Sequence, residues 1–191
     1  MINTLTIKNF KSIKSLDLQC KRINLFIGEP NTGKSNILEA FGLFNYFHNE
    51  WSKDLKQYVR FEHVHNLFYD GLIDEPIEIN LNDKINSNGE LTIKSSNSFF
   101  DVFLSDKKKP VCALNSNGVH EDRIIGKRSD ILFYRYNRNT KISKDLPGRL
   151  DIPDGENLFM TAYSSKENRE MIASLFRPYG LKAVFKPNEK T

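Results

Sequence analysis

The residues best suited to chemistry lie together in Gly28-Glu29-Pro30-Asn31-Thr32-Gly33-Lys34-Ser35. This run meets every fixed position of the phosphate-binding pattern G-x-x-x-x-G-K-S/T, the Walker A motif. Gly28 and Gly33 let the backbone fold tightly and turn its N–H groups toward phosphate oxygens. Lys34 brings a flexible point charge to the β- and γ-phosphates. Ser35 offers a hydroxyl to Mg²⁺, a cation that keeps most of its waters and takes few protein ligands. A helix beginning at about Lys34 adds the positive end of its dipole.

Short patterns also arise by chance, so the flanks have to decide. A phosphate loop needs a strand before it and a helix after it. Ile23-Asn24-Leu25-Phe26-Ile27 is a short apolar run ending at Gly28 and suits a buried strand. Ile37, Leu38, Phe41, Phe44 and Phe47 recur at helical spacing. Both flanks favour a phosphate loop over a glycine turn with a solvated lysine.

The chain has 191 residues, enough for one domain or one large piece of a bigger one. It is 39% hydrophobic and 27% charged, which is ordinary for a globular protein with a real core. The formal net charge of +4 permits nucleic-acid binding without arguing strongly for it. Cys20 and Cys112 read as buried or semi-buried thiols, and with four histidines they form no metal-ligand spacing. The N-terminus alternates polar and apolar residues, unlike a signal peptide. No apolar run approaches membrane-spanning length, so the cytoplasm is the expected address.

Leu5 to Phe10 alternates like a strand, Ser15 to Gln19 reads as a second, and Lys11-Ser12-Ile13-Lys14 connects them. The stretch Ile7-Lys8-Asn9-Phe10-Lys11-Ser12-Ile13, then Ile23 to Gly28, then Gly33-Lys34-Ser35-Asn36-Ile37-Leu38-Glu39-Ala40, resembles the N-terminal lobe of ABC-type ATPases. It is most similar to the branch holding RecF-like, SMC-like and OLD-like ATPases, many of them known only as AAA-family ATP-binding proteins. The resemblance implies an α/β fold with an α+β tendency. It implies a P-loop NTPase lobe with a mixed sheet around the Walker A helix and an antiparallel β-meander subdomain. It implies ATP and Mg²⁺ as ligands, with Gly28, Asn31, Thr32, Gly33, Lys34, Ser35 and Asn36 at the nucleotide and Ser35 at the metal. It also makes Lys11 a candidate second phosphate contact, against the alternative of a solvated turn lysine.

Asn49 to Leu67 is expected to hold one or two short helices. Leu72-Ile73-Asp74-Glu75-Pro76 looks like the end of a Walker B motif, but Asp70 and Gly71 interrupt the apolar run, so it reads as a turn. From Pro76 the period is two. Ile77 to Leu81, a turn at Asn88-Gly89, Leu91 to Lys94, Phe99 to Leu104, Val111 to Leu114, a turn at Asn117-Gly118, Val119 to Ile125 and Ile131 to Tyr136 follow in order. Strands in sequence joined by tight turns imply an antiparallel meander. Lys107-Lys108-Lys109 reads as a solvated loop. So does the most basic stretch, Arg123 to Arg149, with Lys127, Arg128, Arg135, Arg138, Lys141 and Lys144; the alternative is a surface that tracks a nucleic-acid backbone, with Tyr134 and Tyr136 interleaved.

Leu150 to Leu158 is similar to an element of the same ATPases, and Asn157 is expected to cap a short helix. Ser164 and Glu167 form a capping box, and Met171, Ile172, Leu175, Phe176 and Tyr179 make the apolar core face of the helix that follows. Gly180 ends it, and Leu181 to Phe185 is the expected last strand. The expected organisation is 1–48 hairpin, P-loop strand and helix; 49–75 helical connector; 76–136 meander; 137–191 loop, helix and strand.

The resemblance covers only the first part of that family's domain. The chain has no Ser-Gly-Gly signature, no convincing Walker B strand, no switch histidine, and only Gln19 and Gln57 as Q-loop candidates. Such ATPases hydrolyse ATP in a head-to-head dimer, one subunit's Walker A closing on the other's signature motif. The expectation is therefore Mg-ATP binding, with hydrolysis only alongside a C-terminal half or completing chain and a homodimer. The alternatives are a non-catalytic module whose assembly depends on nucleotide, and a small P-loop kinase, which the meander disfavours.

Overall fold

In β1 (Ile2–Phe10) every second side chain from Leu5 turns inward, and Leu5 and Ile7 are fully buried. Lys11 and Ser12 turn the chain into β2 (Ile13–Gln19), which pairs antiparallel with β1, Leu5 opposite Leu18 and Ile7 opposite Leu16. The N-terminal hairpin therefore forms with a tighter turn than the four residues expected. The structure, a computed structural model, describes residues 2–48, 54–83, 89–105, 108–121, 131–135 and 150–184. It falls into two units, Met1–Phe133 and Tyr134–Thr191.

The first unit holds a seven-stranded sheet in the order β2-β1-β3-β4-β5-β6-β7. Its further strands are β3 (Ile77–Asp83), β4 (Gly89–Ser96), β5 (Phe99–Leu104), β6 (Cys112–Leu114) and β7 (His120–Glu121), every neighbour antiparallel. The inward face is continuous across the register. Ile7 lies opposite Ile79, Ile79 opposite Leu91, Leu91 opposite Leu104 and Phe100 opposite Leu114. All of these are buried, so a slip of one residue in any pair would turn a strand's apolar set outward.

Three expectations are corrected here. The hairpin and the meander are not separate parts, because β1 sits between β2 and β3 in one sheet. Among the described residues that sheet is antiparallel throughout rather than mixed. The segment Ile23 to Ile27 is not a strand. Ile23, Leu25 and Ile27 are 83%, 79% and 82% exposed, since no described strand lies beside the segment. An apolar run becomes a strand only against a pairing partner.

α1 (Lys34–His48) follows the glycine-rich loop as expected. Its packing differs from the expected stripe: Leu38 is exposed, whereas Ala40, Leu43, Phe44, Tyr46 and Phe47 are buried. Phe44 lies over the sheet where β4 has Gly89, and a Cβ there would come 2.5 Å from the ring. On another side, a Cβ on Gly42 would lie 2.7 Å from the carbonyl oxygen of Tyr58 and 3.3 Å from the Phe133 ring. Gly42→Ala should therefore destabilise the chain by about 1–3 kcal/mol despite alanine's better helix propensity, because a backbone oxygen cannot move aside cheaply. Urea unfolding measures this directly.

The last residue of α1, His48, stacks on Phe44 with ring centroids 3.9 Å apart and places Nδ1 2.9 Å from the Phe44 carbonyl. A carbonyl only accepts, so Nδ1 carries the proton of the neutral ring. Burial lowers the pKa of His48 from its ordinary value, and the Phe44 hydrogen bond opposes this. The unfolded chain then takes up the proton first as pH falls. Stability is unaffected above the unfolded pKa of about 6.5 and is lost below it, until the folded pKa is passed. Melting temperatures between about pH 8 and pH 5 should fall less steeply in His48→Gln than in the wild type.

The connector carries short 3₁₀ helices at Leu55–Gln57 and Val64–Leu67, within the span expected to hold one or two short helices, and a third 3₁₀ turn at Tyr69–Gly71. Leu72 to Pro76 is a turn into β3, with Asp74 and Glu75 exposed, not the end of a buried strand. Val119 to Ile125 contributes only β7, and residues 122–125 lie outside the described ones, as does the Asn88 half of the Asn88-Gly89 turn.

In the second unit, Tyr134 and Arg135 are irregular, as are Ile131 to Phe133 at the end of the first, so the expected last meander strand is absent over 131–135. α2 (Leu158–Ser164) begins after Asn157, whose side chain does not cap it. Instead Asn157 Oδ1 accepts from the Asp151 N–H at 2.8 Å, bracing the preceding loop. α3 (Lys166–Phe176) is capped by Ser165, whose Oγ accepts from the Asn168 N–H at 3.2 Å. The capping residue is thus one later than Ser164, which ends α2. Met171, Leu175, Phe176 and Tyr179 are exposed rather than core, for within this unit α3 packs on α2 and on the 3₁₀ turn Arg177–Tyr179. Gly180 closes that turn at φ 68°, but Leu181 to Val184 is not a strand. Among the described residues no helix is long and apolar enough to cross a membrane.

Candidate functional site

The glycine-rich loop is set by backbone conformation before any ligand is considered. Asn31 and Gly33 have φ of 62° and 83°, the left-handed region that Asn tolerates and Gly adopts freely. Gly33 then starts α1: its carbonyl accepts from the N–H groups of Asn36 at 2.9 Å and Ile37 at 3.3 Å. The first N–H groups of a helix have no partner within it, and the first turn of α1 carries no acidic side chain to cap them. A concentration of donors and positive dipole is therefore directed at the loop.

Lys34 arcs back across this loop. Its Nζ donates to the Glu29 carbonyl and, at 3.1 Å, to Thr32 Oγ1, which itself donates to the Glu29 carbonyl at 2.9 Å. Its stem passes 3.8 Å from where a Gly28 Cβ would be. Thr32, Gly28 and Glu29 thus shape the loop around the ammonium. Ser35 is exposed on the first helical turn. This donor set of helix N–H groups, one ammonium and one hydroxyl fits a phosphate group, and the hydroxyl fits a hydrated Mg²⁺.

The β1–β2 turn closes one side of the loop. Asn36 Nδ2 donates to Ser12 Oγ at 2.7 Å, and a Cβ on Gly33 would lie 2.8 Å from that same oxygen. Lys11, beside Ser12, has φ 53° and donates its backbone N–H to the Leu67 carbonyl at 2.9 Å. Its side chain is not solvated: Nζ pairs with Oε2 of Glu39 on α1. Arg60 Nε binds the other oxygen of that carboxylate, Oε1, at 2.5 Å. Sequence reasoning missed both Glu39 and Arg60. The signal was there in part, since Glu39 stands four residues after Ser35 in an otherwise apolar run, a place where a charge needs a partner.

Asn9 is a third missed residue. It is buried at φ 52° and its side chain makes three bonds to the connector. Oδ1 accepts from the Tyr69 N–H at 3.1 Å, while Nδ2 donates to the carbonyls of Glu75 at 2.6 Å and Leu72 at 3.4 Å.

The remaining candidates stand apart from this loop. Among the described residues no three His, Cys, Asp or Glu side chains come together as a metal site. Burial raises the pKa of the Cys20 thiol, which keeps it a weak nucleophile. Of the basic stretch Arg123 to Arg149 only 131–135 are described. There Arg135 Nε binds Asp154 at 2.8 Å and Tyr134 Oη donates to the Leu150 carbonyl at 3.1 Å, so these two are engaged within their own unit. Lys127, Arg128, Tyr136, Arg138, Lys141 and Lys144 lie outside the described residues, and so does Lys107.

The chain is 30% identical over 140 residues to an uncharacterized protein of Methanocaldococcus jannaschii, covering 65% of this chain and 63% of that one. The model of the family described as AAA ATPase domain matches residues 1–152, most of the chain and all of the loop, hairpin and sheet described above. The chain belongs to the AAA ATPase domain family.

Proposed function

We propose that the chain binds Mg-ATP at Gly28 to Ser35 as the N-terminal part of an ABC-type ATPase head. The observation that carries this reading is the junction of the loop with α1, where Gly33 opens the helix and Lys34 folds back over Gly28. In this reading Gly28, Asn31, Thr32 and Gly33 surround the phosphates with backbone N–H groups. Lys34 leaves the Glu29 carbonyl for the β- and γ-phosphates, and Ser35 binds Mg²⁺. Bound Mg²⁺ would supply charge neutralisation for the phosphates. Asn36 holds Ser12 against the loop, and Lys11 reaches a phosphate from the hairpin side. Hydrolysis needs the signature and Walker B elements of a C-terminal half or a completing chain, brought in by dimerisation. By itself the chain binds without efficient turnover.

The test is a titration with a fluorescent ATP analogue and Mg²⁺, with oligomeric state and phosphate release followed together. Saturable, Mg²⁺-dependent binding with little phosphate release is expected. Phosphoryl transfer to a nucleoside or other small acceptor would overturn it in favour of a kinase, which the antiparallel sheet already speaks against. A second reading, nucleotide-dependent assembly without turnover in any complex, has one observation in its favour. Ile23, Leu25 and Ile27 are exposed directly before the loop, so a partner covering them would meet the nucleotide site. Adding the C-terminal half separates the two readings: phosphate release supports the ATPase.

A further inference from the structure

Lys11, Glu39 and Arg60 put two cations on one carboxylate. Lys11 Nζ meets Oε2 and Arg60 Nε meets Oε1. The side chains of Lys11 and Glu39 are 14% and 9% exposed, whereas Arg60 is 70% exposed. Removing one partner from a buried ion pair is normally costly because it strands the other charge. Here that does not follow. If Lys11 leaves, Glu39 keeps Arg60, and Arg60 is already largely in water. The carboxylate is therefore never unpaired, and Lys11 is the cation that is free to exchange.

Lys11 is also placed to exchange. Its neighbour Ser12 is bonded to Asn36 and abuts Gly33, so the hairpin turn touches the phosphate loop. A lysine stem is flexible enough to swing its ammonium from α1 toward that loop. We propose that Glu39 and Arg60 are positioning residues that make Lys11 an exchangeable phosphate ligand. Glu39 parks the Lys11 ammonium beside the loop, and Arg60 takes over Glu39 when Lys11 turns to a nucleotide phosphate. This rests on the nucleotide-binding reading and adds to it how the second cation is stored and released.

The experiment measures Mg-ATP affinity for the wild type, Lys34→Ala, Arg60→Met, Lys11→Met, the Lys11→Met/Arg60→Met pair and the Glu39→Gln/Arg60→Met pair. A melting curve for each confirms folding. Without Arg60, Glu39 depends on Lys11 alone and retains it, so Arg60→Met should weaken binding about tenfold. In the Lys11→Met background the same change should do nothing. Adding Glu39→Gln to Arg60→Met should restore wild-type affinity or better, since no carboxylate then competes with the phosphate. If the double variant with Glu39→Gln fails to fold, the Lys11 and Arg60 square still decides. The proposal is overturned if Arg60→Met has no effect, or weakens binding equally without Lys11. Lys34→Ala tells two failures apart. Binding that Lys34→Ala abolishes and Arg60→Met leaves intact removes only the exchange. No binding by the folded wild type removes the nucleotide site and the exchange with it.

Discussion

Lys34→Ala is expected to weaken Mg-ATP binding by at least about a hundredfold, close to 3 kcal/mol, because hydrogen bonds between charged groups contribute about 1.5–3 kcal/mol each. Among the described residues Lys34 Nζ bonds the Glu29 carbonyl and Thr32 Oγ1, both in an exposed loop. Its removal should shift stability by no more than about 0.5 kcal/mol, as for other surface substitutions. The far-UV circular dichroism spectrum should be that of the wild type. Lys34→Arg should also bind poorly, for a planar guanidinium does not replace a compact ammonium in a tight loop. A titration beside a melting curve checks both parts. If the alanine variant binds as well as the wild type, the loop is not the phosphate site. If instead it unfolds, Lys34 is a structural residue.

The largest effect on stability is expected at Asn9. Asn9→Ala removes the acceptor for the Tyr69 N–H and the donors to the Leu72 and Glu75 carbonyls. It also places alanine at φ 52°, where Asn is tolerated and alanine is strained. Lost hydrogen bonds, unpaired backbone groups and strain sum to about 3–4 kcal/mol. Asn9→Asp keeps the acceptor but sets a buried carboxylate oxygen against the Leu72 and Glu75 carbonyls, and should destabilise at least as much as alanine. Urea unfolding with a common slope measures the series. A loss below about 0.5 kcal/mol in Asn9→Ala would show that water replaces the side chain and that the connector is not held from β1.

Local signals carried much of this fold. Alternation in Leu5 to Phe10 and from Ile77 onward placed the strands, and the spacing after Gly33 placed α1. The glycine-rich loop before α1 was legible because its pattern is local: two glycines, a lysine and a serine within eight positions. What was not legible depended on partners distant in the chain. Ile23 to Ile27 has the composition of a buried strand, yet burial needs a neighbour, and none stands beside it among the described residues. The apolar face of α3 failed for the same reason. Lys11 could be placed near the loop only through the resemblance to ABC-type ATPases, and its pairing could not be placed at all, since Glu39 lies 28 residues on. Arg60 gave no sequence signal at all. The capping serine was misplaced by one because Ser164 and Ser165 offer the same hydroxyl, and only the break between α2 and α3 selects Ser165.

The place of β1 in the sheet also sets an order of events during synthesis. β1 pairs on one side with β2, which follows within a few residues, and on the other with β3, where Lys8 meets Glu78 across 70 residues. Ribosomes add about 5–20 residues per second, so the hairpin waits several seconds with an open edge before β3 arrives. The glycine-rich loop, α1 and the connector all emerge in that interval. Lys11 and Ser12 meet α1 through Glu39 and Asn36, both made in that interval, whereas Asn9 gains its bonds to Tyr69, Leu72 and Glu75 only at its end. The glycine-rich loop thus emerges while the hairpin it touches still has one open edge.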